Sequence, residues 1–385
     1  MAQPFDVCIR GAGIVGRSLA LLLAQHRLRV GLVQAPRLSL SPAMSSSEPP
    51  DLHDNRAYAL NAASRQLLQG LRCWPEGMAV TPVTAMRVRG DEGGEVNFAA
   101  SVATPQPTTA LAWIVEVAEL ESCLANAIRF QPQIEVIDAP QPAGLTVVCE
   151  GRFSSTRDEL GVDFDVASYG QHAIAARFAC EQPHQGQALQ WFSQGEIMAF
   201  LPLQGPGGNS VALVWSVSES RAQTLMALSA EDFAAAAQTA SACALGTLTV
   251  VGERAKWPLQ HGQAQAWSGK TAAGQAWVLA GDAAHTVHPL GGQGLNLGLA
   301  DVTELANTLG TRDYWRSVSD PRLLRSYERA RRAGLAPVGA VMDGLQRLFA
   351  QPDAMVKNMR NAGMQGFEHS GPLKAWVARQ AMGLN

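Results

Sequence analysis

The stretch WVLAGDAAHTVHPLGGQGLNLGL, from Trp277 to Leu299, decides the fold of this chain. It opens with an apolar run of the length and character of a buried strand. Gly281 and Asp282 then form a turn that offers a carboxylate, and the glycine-rich segment 289–294 leads into an apolar, helix-compatible run at 295–305. Glycines at a helix start expose backbone N–H groups, and the positive end of the helix favours negative charge there. The pattern predicts a ligand that has hydroxyl groups and a ring that must carry negative charge.

A second glycine pattern stands near the N-terminus, directly after the apolar run 5–9. It has the form G-x-G-x-x-G, with Gly11, Gly13 and Gly16, and it is followed by a helical segment and the apolar strand 30–33. In this context the first glycine makes the turn, the second admits a pyrophosphate, and the third lets helix and sheet pack closely. The sequence therefore predicts a dinucleotide site.

Two residues depart from the usual form of this fingerprint. Arg10 stands where an apolar residue usually ends the strand, and Gln34 stands 18 residues after Gly16, where a carboxylate usually binds the adenosine ribose. An amide can hydrogen-bond a hydroxyl group but lacks the charge-assisted strength of a carboxylate. We therefore expect Gln34 to weaken dinucleotide binding without abolishing it.

These motifs resemble those of the FAD-dependent aromatic hydroxylases of the para-hydroxybenzoate hydroxylase-like class, and most closely the ubiquinone-biosynthesis hydroxylase family (UbiH/UbiF type). The resemblance implies that FAD occupies the dinucleotide site and that Gly281 and Asp282 hold its ribityl and pyrophosphate region. It also implies that the turn 289–294 lies against the isoalloxazine ring, where backbone N–H groups stabilise the anionic reduced flavin. The residues expected beside the ring are Pro289, Gly292, Gln293, Gly294, Leu295 and Asn296.

Two other segments extend the resemblance and add departures from it. The family carries an arginine close to the flavin at the position of Arg56. Its Asp-Gly-x-x-Ser-x-x-Arg signature, implied to serve both the FAD pyrophosphate and NAD(P)H, is matched by Gly151, Ser154 and Arg157. Glu150 replaces the aspartate and places the charge one methylene further out, and Ala118 stands where related proteins commonly carry an arginine.

The resemblance implies an α/β fold, namely a Rossmann-like FAD-binding domain with an inserted β-sheet substrate domain and a C-terminal helical segment. Four aromatic residues of the β-rich part are expected to line the substrate pocket, although at strand spacing at least half of them should be core: Trp191, Phe192, Phe200 and Trp215. Near the C-terminus we predict one helix over 323–334 and another from Pro337. The predicted ranges are 1–75, 100–168 and 268–345 for the FAD-binding domain, 76–99 and 169–267 for the substrate domain, and 346–385 for the helical tail.

Composition narrows the function classes. The chain has 385 residues, a net charge of −3 and 16% charged residues, which is typical of a globular protein and argues against nucleic acid as the main partner. The six cysteines have no zinc spacing, and His285 and His288 lack a third ligand, so we expect no metal and structural hydrogen bonds for both histidines. Neither a signal peptide nor a membrane-spanning run is apparent. We expect a cytoplasmic protein, soluble or peripheral at the inner face of the membrane.

Basic residues are concentrated at the C-terminal end, where residues 312–385 carry 12 Lys and Arg but only 6 Asp and Glu. This segment is expected either to contact an anionic membrane or a protein partner, or to pair with the acidic remainder of the chain. Arg331 and Arg332 distinguish the two expectations, because they would bind lipid in the first case and hold the segment down in the second.

The resemblance implies that NAD(P)H reduces FAD and that O₂ then adds as a flavin C4a-hydroperoxide. This species would hydroxylate the aromatic ring of a polyprenylated phenol in ubiquinone biosynthesis, and no protein acid or base stands out. Two alternatives remain open at this point: a hydroxylase of a small soluble aromatic, and a flavin-poor structural subunit of a ubiquinone-synthesis complex. Gln34, Ala118 and Glu150 motivate the second alternative.

Overall fold

The computed structural model describes residues 5–34, 56–90, 93–100, 110–287, 292–350 and 363–382, with the backbone alone for 336–350, 372, 373, 380 and 381. The strands of the described residues are β1 (Phe5–Arg10), β2 (Val30–Val33), β3 (Ala57–Leu60), β4 (Val80–Val83), β5 (Ala85–Arg89), β6 (Glu95–Ala99), β7 (Ala112–Glu116), β8 (Ile134–Ile137), β9 (Ala143–Val148), β10 (Phe164–Cys180), β11 (Gln187–Ser193), β12 (Glu196–Leu203), β13 (Ser210–Ser218), β14 (Leu248–Ala264), β15 (Ser268–Lys270), β16 (Ala276–Leu279) and β17 (His285–Thr286). The helices are α1 (Ile14–Gln25), α2 (Ala62–Gly70), α3 (Val117–Arg129), α4 (Ser155–Glu159), α5 (Glu219–Ala227), α6 (Ala230–Ala240), α7 (Gln293–Gly310), α8 (Pro321–Ala350) and α9 (Pro372–Ala381).

A six-stranded sheet in the order β15-β16-β9-β1-β2-β8 carries both glycine motifs. Every pair in it is parallel except that of the edge strand β15. Val7, Ile9, Val30 and Leu32 lie on one face of the sheet and are almost fully buried in a core shared with α1. Since β1, β9 and β16 are neighbours, the loops that follow them leave the same edge of the sheet, which is where ligands bind in such folds.

An eight-stranded sheet in the order β17-β14-β10-β13-β12-β11-β5-β6 forms the second layer. Its pairs are antiparallel except for the parallel pair of β11 and β5. Helices α5 and α6 pack on one face of this sheet. Strands β5 and β6 pair antiparallel on either side of Gly93 and Gly94.

Three of the four aromatic residues expected at the substrate pocket lie in the core on the helix-covered face. Trp191, Phe200 and Trp215 belong to one buried cluster with Phe233 of α6. Phe192 follows Trp191 on the same strand and therefore points to the opposite face, because side chains alternate along a strand. The expectation that at least half of these residues form core is confirmed, and the pocket role is wrong for the three.

A small sheet in the order β3-β7-β4 lies between the two larger ones. Ile114 of β7 and Val83 of β4 pack against Ala212 and Leu203 of the eight-stranded sheet. Strand β4, which falls in the predicted substrate-domain range 76–99, therefore pairs with β7 rather than with β5 or β6.

The basic C-terminal region begins with one long helix, α8, and the prediction of two helices separated near Pro337 is wrong. Proline removes a hydrogen bond to the carbonyl four residues earlier. That carbonyl belongs to Ala333, which is exposed, so water can satisfy it and the helix continues. Among the described residues, no helix has the length and apolar character needed to cross a membrane.

Candidate cofactor and substrate site

The loop after β1 is built by glycines with two different duties. Gly11 has a φ of +112°, and a Cβ on it would overlap the carbonyl of Cys149, while a Cβ on Gly16 would overlap the carbonyl of Gly11. Both glycines are therefore required by packing. Gly13 is exposed at the start of α1, and a Cβ there would meet nothing within 4 Å. This open position is where the fingerprint admits a pyrophosphate.

Gln34 directly follows β2, the strand next to β1. Its backbone N–H donates to the carbonyl of Ile137 at 3.0 Å, and its side chain is exposed. The residue thus stands at the ligand edge of the sheet, where the fingerprint places the ribose contact.

The turn after β16 is fixed by a buried carboxylate on one side and is exposed on the other. Gly281 has a φ of +64°, and its N–H donates to the buried Asp301 carboxylate at 2.8 Å. Asp282, the next residue, is exposed. Surrounding protein atoms raise the pKa of the Asp282 carboxyl, and the charges of His285 and Arg152 act against that shift. The carboxylate is available to accept hydrogen bonds from a ligand.

Asp301 is a key residue of the site that the sequence motifs did not reveal. It is fully buried in α7 and accepts hydrogen bonds from His285 Nε2 and Arg331 Nε, both at 2.7 Å, in addition to Gly281. Burial alone would raise the pKa of Asp301, but the charges and hydrogen bonds of His285 and Arg331 hold it below its ordinary value. The signal in the sequence was a carboxylate, one of two, within the apolar run 295–305 that follows the glycine-rich segment 289–294. The structural hydrogen bond expected for His285 is confirmed, and His288 lies outside the described residues.

The two arginines that distinguish membrane contact from internal pairing are both turned into the protein. Arg331 bonds to Asp301, and Arg332 donates to Glu328 at 3.0 Å and to the carbonyls of Ala264 at 3.0 Å and Gln265 at 2.6 Å. These contacts hold α8 on the FAD-binding domain. Internal pairing is confirmed for Arg331, and Arg332 bonds to backbone carbonyls of the remainder of the chain and to Glu328 of its own helix. Lipid binding by these two residues stays a prediction.

The start of α7 is also shaped by glycines. Gly292 has a φ of +65°, and a Cβ on it would come within 3.3 Å of the Cβ of Ala59. A Cβ on Gly294 would meet nothing within 4 Å, so space is open beside the first turn of the helix. Gln293 is partly buried in that turn, and Leu295 packs against the core of the FAD-binding domain. Pro289 lies outside the described residues.

The side chain of Asn296 is committed to the protein. Its Nδ2 donates to the carbonyls of Ala59 at 2.8 Å and Gly292 at 3.4 Å, and its Oδ1 accepts from Asn61 N at 3.0 Å and Ser64 Oγ at 2.7 Å. An asparagine side chain has two amide hydrogens and one oxygen with two lone pairs, so all four are used. Asn296 therefore fixes the start of α7 against β3 and α2, and only its backbone is left for a cofactor.

Arg10 and Glu150, which both differ from the usual residues of their motifs, form an ion pair with each other. Arg10 Nε lies 3.1 Å from Glu150 Oε1, and Arg10 Nη1 lies 3.0 Å from Glu159 Oε2. Glu150 also accepts from Ser154 Oγ at 2.7 Å, Thr156 Oγ1 at 2.6 Å and Thr156 N at 3.1 Å. Burial alone would raise the pKa of Glu150, but these hydrogen bonds and the charge of Arg10 lower it. The Glu150 carboxylate is thus engaged within its own loop.

Gly151 has a φ of +79° with nothing within 4 Å of a Cβ, so it supplies the left-handed turn that follows Glu150. Arg157, the last residue of the same signature, is 5% exposed. Its guanidinium donates to the carbonyls of Ala283 at 3.3 Å and Arg152 at 3.0 Å, and it lies 3.9 Å from the centre of the Phe164 ring. Arg157 therefore ties this loop to the turn after β16.

A groove of about 490 Å³ opens on the outer side of these loops. Its lining includes the guanidinium groups of Arg152 and Arg157 and the apolar side chains of Phe153, Phe164 and Val166. Asp158 and Asp163 line the groove as well, and Arg157 Nε lies 3.7 Å from Asp158, so the two cations are balanced by two carboxylates. The guanidinium groups offer contacts to phosphate oxygens, and the apolar side chains offer contacts to flat rings.

Arg56 precedes β3, and its carbonyl accepts a hydrogen bond from Val117 N at 3.2 Å. Its side chain is exposed. Ala118, the position without the usual arginine, is in the first turn of α3. A different cation approaches this place, because Arg177 of the eight-stranded sheet lies 3.0 Å from Glu116, the residue before that helix.

The face of the eight-stranded sheet opposite α5 and α6 bears small side chains. Ala175, Val214 and Ala199 are directly paired across β10, β13 and β12, and all three are partly exposed in the middle of the sheet. Leu201, on the same side of β12, belongs to a cluster with Ala59, the residue that abuts Gly292. An open apolar surface therefore begins close to the start of α7.

These observations fit FAD. Gly13 and Gly294 leave room that any side chain would fill, Asp282 offers an exposed carboxylate, and α7 presents the N–H groups of its first turn. Among the described residues, no group of three or more His, Cys, Asp or Glu is placed to hold a metal.

Comparison with known proteins agrees with the geometry. A family described as FAD binding domain matches residues 130–338. Ubiquinone hydroxylase UbiL of Rhodospirillum rubrum is 30% identical, with 98% of this chain and 89% of the relative covered. The 3-demethoxyubiquinol 3-hydroxylase of Escherichia coli is 29% identical, with 99% of both chains covered.

Solved structures show the same fold. The p-nitrophenol 4-monooxygenase PnpA of Pseudomonas putida has a TM-score of 0.76 at 17% identity, over 100% of this chain and 99% of the other. Pseudomonas aeruginosa PqsL, in complex with 2-aminobenzoylacetate, has a TM-score of 0.73 at 20% identity, over 94% of this chain and 99% of the other. The chain belongs to the FAD-dependent ubiquinone-biosynthesis hydroxylase family (UbiH/UbiF type).

Proposed function

We propose that this FAD enzyme hydroxylates the aromatic ring of a polyprenylated phenol in ubiquinone biosynthesis, with NAD(P)H and O₂ as co-substrates. The observation that carries the proposal is the row Ala175, Val214 and Ala199, because small, partly exposed apolar side chains in the centre of a sheet leave room for an apolar substituent. The names of the relatives, ubiquinone hydroxylase and 3-demethoxyubiquinol 3-hydroxylase, support the same substrate class.

The residues of the site then have separate tasks. We assign the FAD pyrophosphate to the loop that Gly11 and Gly16 shape, beside the open Gly13, the adenosine ribose to Gln34, and the ribityl and pyrophosphate region to Asp282. Bound FAD would supply hydride acceptance and the activation of O₂. The N–H groups of residues 292–296 lie at the positive end of α7. They would stabilise the negative charge of the reduced flavin ring.

We assign NAD(P)H to the groove beside Arg152 and Arg157. The Arg152 guanidinium is the cation offered to its phosphates, because Arg152 is partly exposed whereas Arg157 is 5% exposed and donates to two backbone carbonyls. Glu150 and Gly151 shape the loop between the groove and the FAD site. Arg56 stays a candidate for a contact at the flavin.

We also propose a peripheral membrane contact or a contact with a ubiquinone-biosynthesis protein complex through the C-terminal region. Since Arg331 and Arg332 are used internally, the support comes from exposed aromatic residues: Tyr314 is 95% exposed, Trp315 67% and Trp376 52%. Tyrosine and tryptophan rings favour the membrane interface. The domain ranges given above stay predictions, as does a cytoplasmic location.

The two alternatives predict different results in one experiment. FAD-reconstituted protein would be assayed for NAD(P)H-dependent hydroxylation of a phenol with a short prenyl chain and of the same phenol without it. We expect a preference for the prenylated substrate in the wild type. Ala199→Trp should lower that activity at least about tenfold, since filling a packed apolar site costs about 1–3 kcal/mol. The control is Ala235→Trp, at an exposed position of α6 on the far side of the sheet.

A wild type that hydroxylates only the unprenylated phenol would replace the proposal with the small-aromatic alternative. A protein that takes up no FAD, judged by its absorbance spectrum, would favour the structural subunit.

A further inference from the structure

A second cavity lies away from the cofactor site, on the helix-covered side of the eight-stranded sheet. Its volume is about 190 Å³, and it is bounded by β5, β11, the segment 182–187 and the turn 244–245. Arg87 and Arg89 of β5 pair in register with Leu189 and Trp191 of β11. All four therefore project on the face that carries the aromatic core, opposite the face proposed to hold substrate.

The cavity has more positive than negative charge. Arg87 and Arg89 both line it, and Glu95 of β6 is the carboxylate next to them, with Arg89 Nε at 2.9 Å and Arg87 Nε at 3.9 Å. Hydrogen bonds from Asn97 and Arg89 lower the pKa of Glu95, so it is ionised and offsets one of the two cations. Glu181, beside the segment 182–187, is engaged with Thr247 N and Oγ1 at 2.9 and 2.8 Å. One guanidinium charge is left for a ligand.

Two N–H donors beside this cavity have no acceptor among the described residues. Trp191 is 8% exposed, its side chain lines the cavity, and its Nε1 is buried without a hydrogen-bond partner in the described part of the chain. Arg87 Nε is likewise buried and has no hydrogen-bond partner in that part of the chain. An indole N–H can only donate, and a buried donor without an acceptor costs about 1–3 kcal/mol. Both donors would be satisfied by an acceptor with several oxygens.

The other polar side chains of the lining can adapt to such an acceptor. Gln182, Gln185 and Gln187 line the cavity and can present either amide hydrogens or oxygen. His184 is not available, because Gly186 N donates to its Nδ1 at 3.0 Å and its Nε2 bonds to the carbonyl of Leu203 at 2.9 Å. The lining thus combines two guanidinium groups, two N–H donors without an acceptor among the described residues, and the amide groups of three glutamines.

We propose that this cavity is a binding site for a small oxyanion, a phosphate or carboxylate group held by Arg87 and Arg89 with the indole of Trp191 as an additional donor. Guanidinium groups bind carboxylate and phosphate oxygens in pairs, and the volume admits a group of that size together with several waters. The site is separate from FAD and does not depend on the proposed function.

The test titrates FAD-loaded protein with inorganic phosphate and with succinate at constant ionic strength, adjusted with chloride. Binding is followed by calorimetry and by the indole ¹⁵N–¹H resonance of Trp191. We expect saturable binding of one or both ions, a shift of that resonance and a rise in Tm with ligand concentration. The two arms show whether the site prefers the phosphate or the carboxylate.

Arg87→Gln combined with Arg89→Gln should weaken binding about tenfold or more, because hydrogen bonds to a charged ligand are lost. Trp191→Phe removes the indole N–H but keeps an aromatic ring, and it should weaken binding by a smaller factor. The control, Arg129→Gln, changes an exposed arginine at the end of α3 and should leave binding unchanged. Equal affinity in the double variant and the wild type, or no saturation by either ion at about fifty millimolar, would overturn the proposal.

Discussion

Residues 11–16 and residues 150–157 follow neighbouring parallel strands and leave the same edge of the sheet, yet they meet that edge in opposite ways. The first loop is open, since Gly13 is exposed and has nothing within 4 Å of a Cβ. The second loop has no free carboxylate, since that of Glu150 is bonded to Ser154 and Thr156 of the same loop and to Arg10 of β1. Both were expected to contact the cofactor. The first loop provides space, whereas the second provides a framework.

The difference shows what a sequence motif can specify. A glycine has no side chain, so its effect does not depend on finding a partner. Its position in the chain is enough to predict a place where the backbone is either open or tightly packed. A charged side chain acts through its partners, and here the partners come from distant segments. Arg157 finds the carbonyl of Ala283, and Glu150 finds Arg10, which lies 140 residues away.

The largest expected effect is on the second loop. Arg157→Gln removes a buried guanidinium that donates to the carbonyls of Ala283 and Arg152. Because unsatisfied buried acceptors cost about 1–3 kcal/mol each, we expect the free energy of unfolding to fall by about 3 kcal/mol. Urea unfolding of the FAD-free protein measures this directly.

Arg152→Gln in the same loop is the control, since Arg152 makes one long hydrogen bond, of 3.4 Å, to the carbonyl of Pro258. It should change stability by less than about 1 kcal/mol. Equal losses in the two variants would show that Arg157 does not hold the framework together.

The second effect is on the open loop. Gly13→Ala adds a Cβ where the protein leaves space, and the backbone φ of −77° suits alanine, so stability without FAD should be almost unchanged. The added methyl group would occupy the space proposed for the pyrophosphate. We expect FAD affinity to fall about tenfold to hundredfold, the equivalent of overpacking by about 1–3 kcal/mol.

Fluorescence titration with FAD measures this, and Gly70→Ala serves as the control because a Cβ there also meets nothing within 4 Å. Unchanged FAD affinity in Gly13→Ala would mean that the pyrophosphate lies elsewhere.

Sequence patterns predicted the buried strands before the two glycine motifs and the positions of the glycine turns, because each depends on local residue order. They did not reveal Asp301, whose role depends on Arg331 reaching it from another helix. The same limit explains Trp191 and Phe192, since alternation along a strand predicts opposite faces but not which face the helices will cover. Arg331 and Arg332 were ambiguous for that reason as well, because composition alone does not distinguish a basic surface from a set of internal partners.

The smallest expected effect concerns the Arg10–Glu150 pair, and it tests whether the two departures are one coupled feature. Arg10→Met and Glu150→Gln, made singly and together, form a double-mutant cycle. For a pair of which each side chain is 21% exposed, we expect a coupling of about 1 kcal/mol in the free energy of unfolding. Additive effects would mean that the contact contributes nothing beyond the separate side chains.

The pH dependence of stability gives an independent measure of the same pair. The pKa of Glu150 is lowered in the folded chain, so its contribution is present above the unfolded-state pKa of about 4.3 and is lost as the pH falls through the folded value. Wild-type stability should therefore decline more steeply below that pH than the stability of Glu150→Gln, which has no proton to gain. In Arg10→Met the slope should be intermediate, because Ser154 and Thr156 still bond to the carboxylate. If the pH dependence of stability in Arg10→Met instead matched that of the wild type, Arg10 would contribute nothing to the lowered pKa of Glu150. The hydroxyl groups of Ser154 and Thr156 would then account for the stabilisation of this carboxylate.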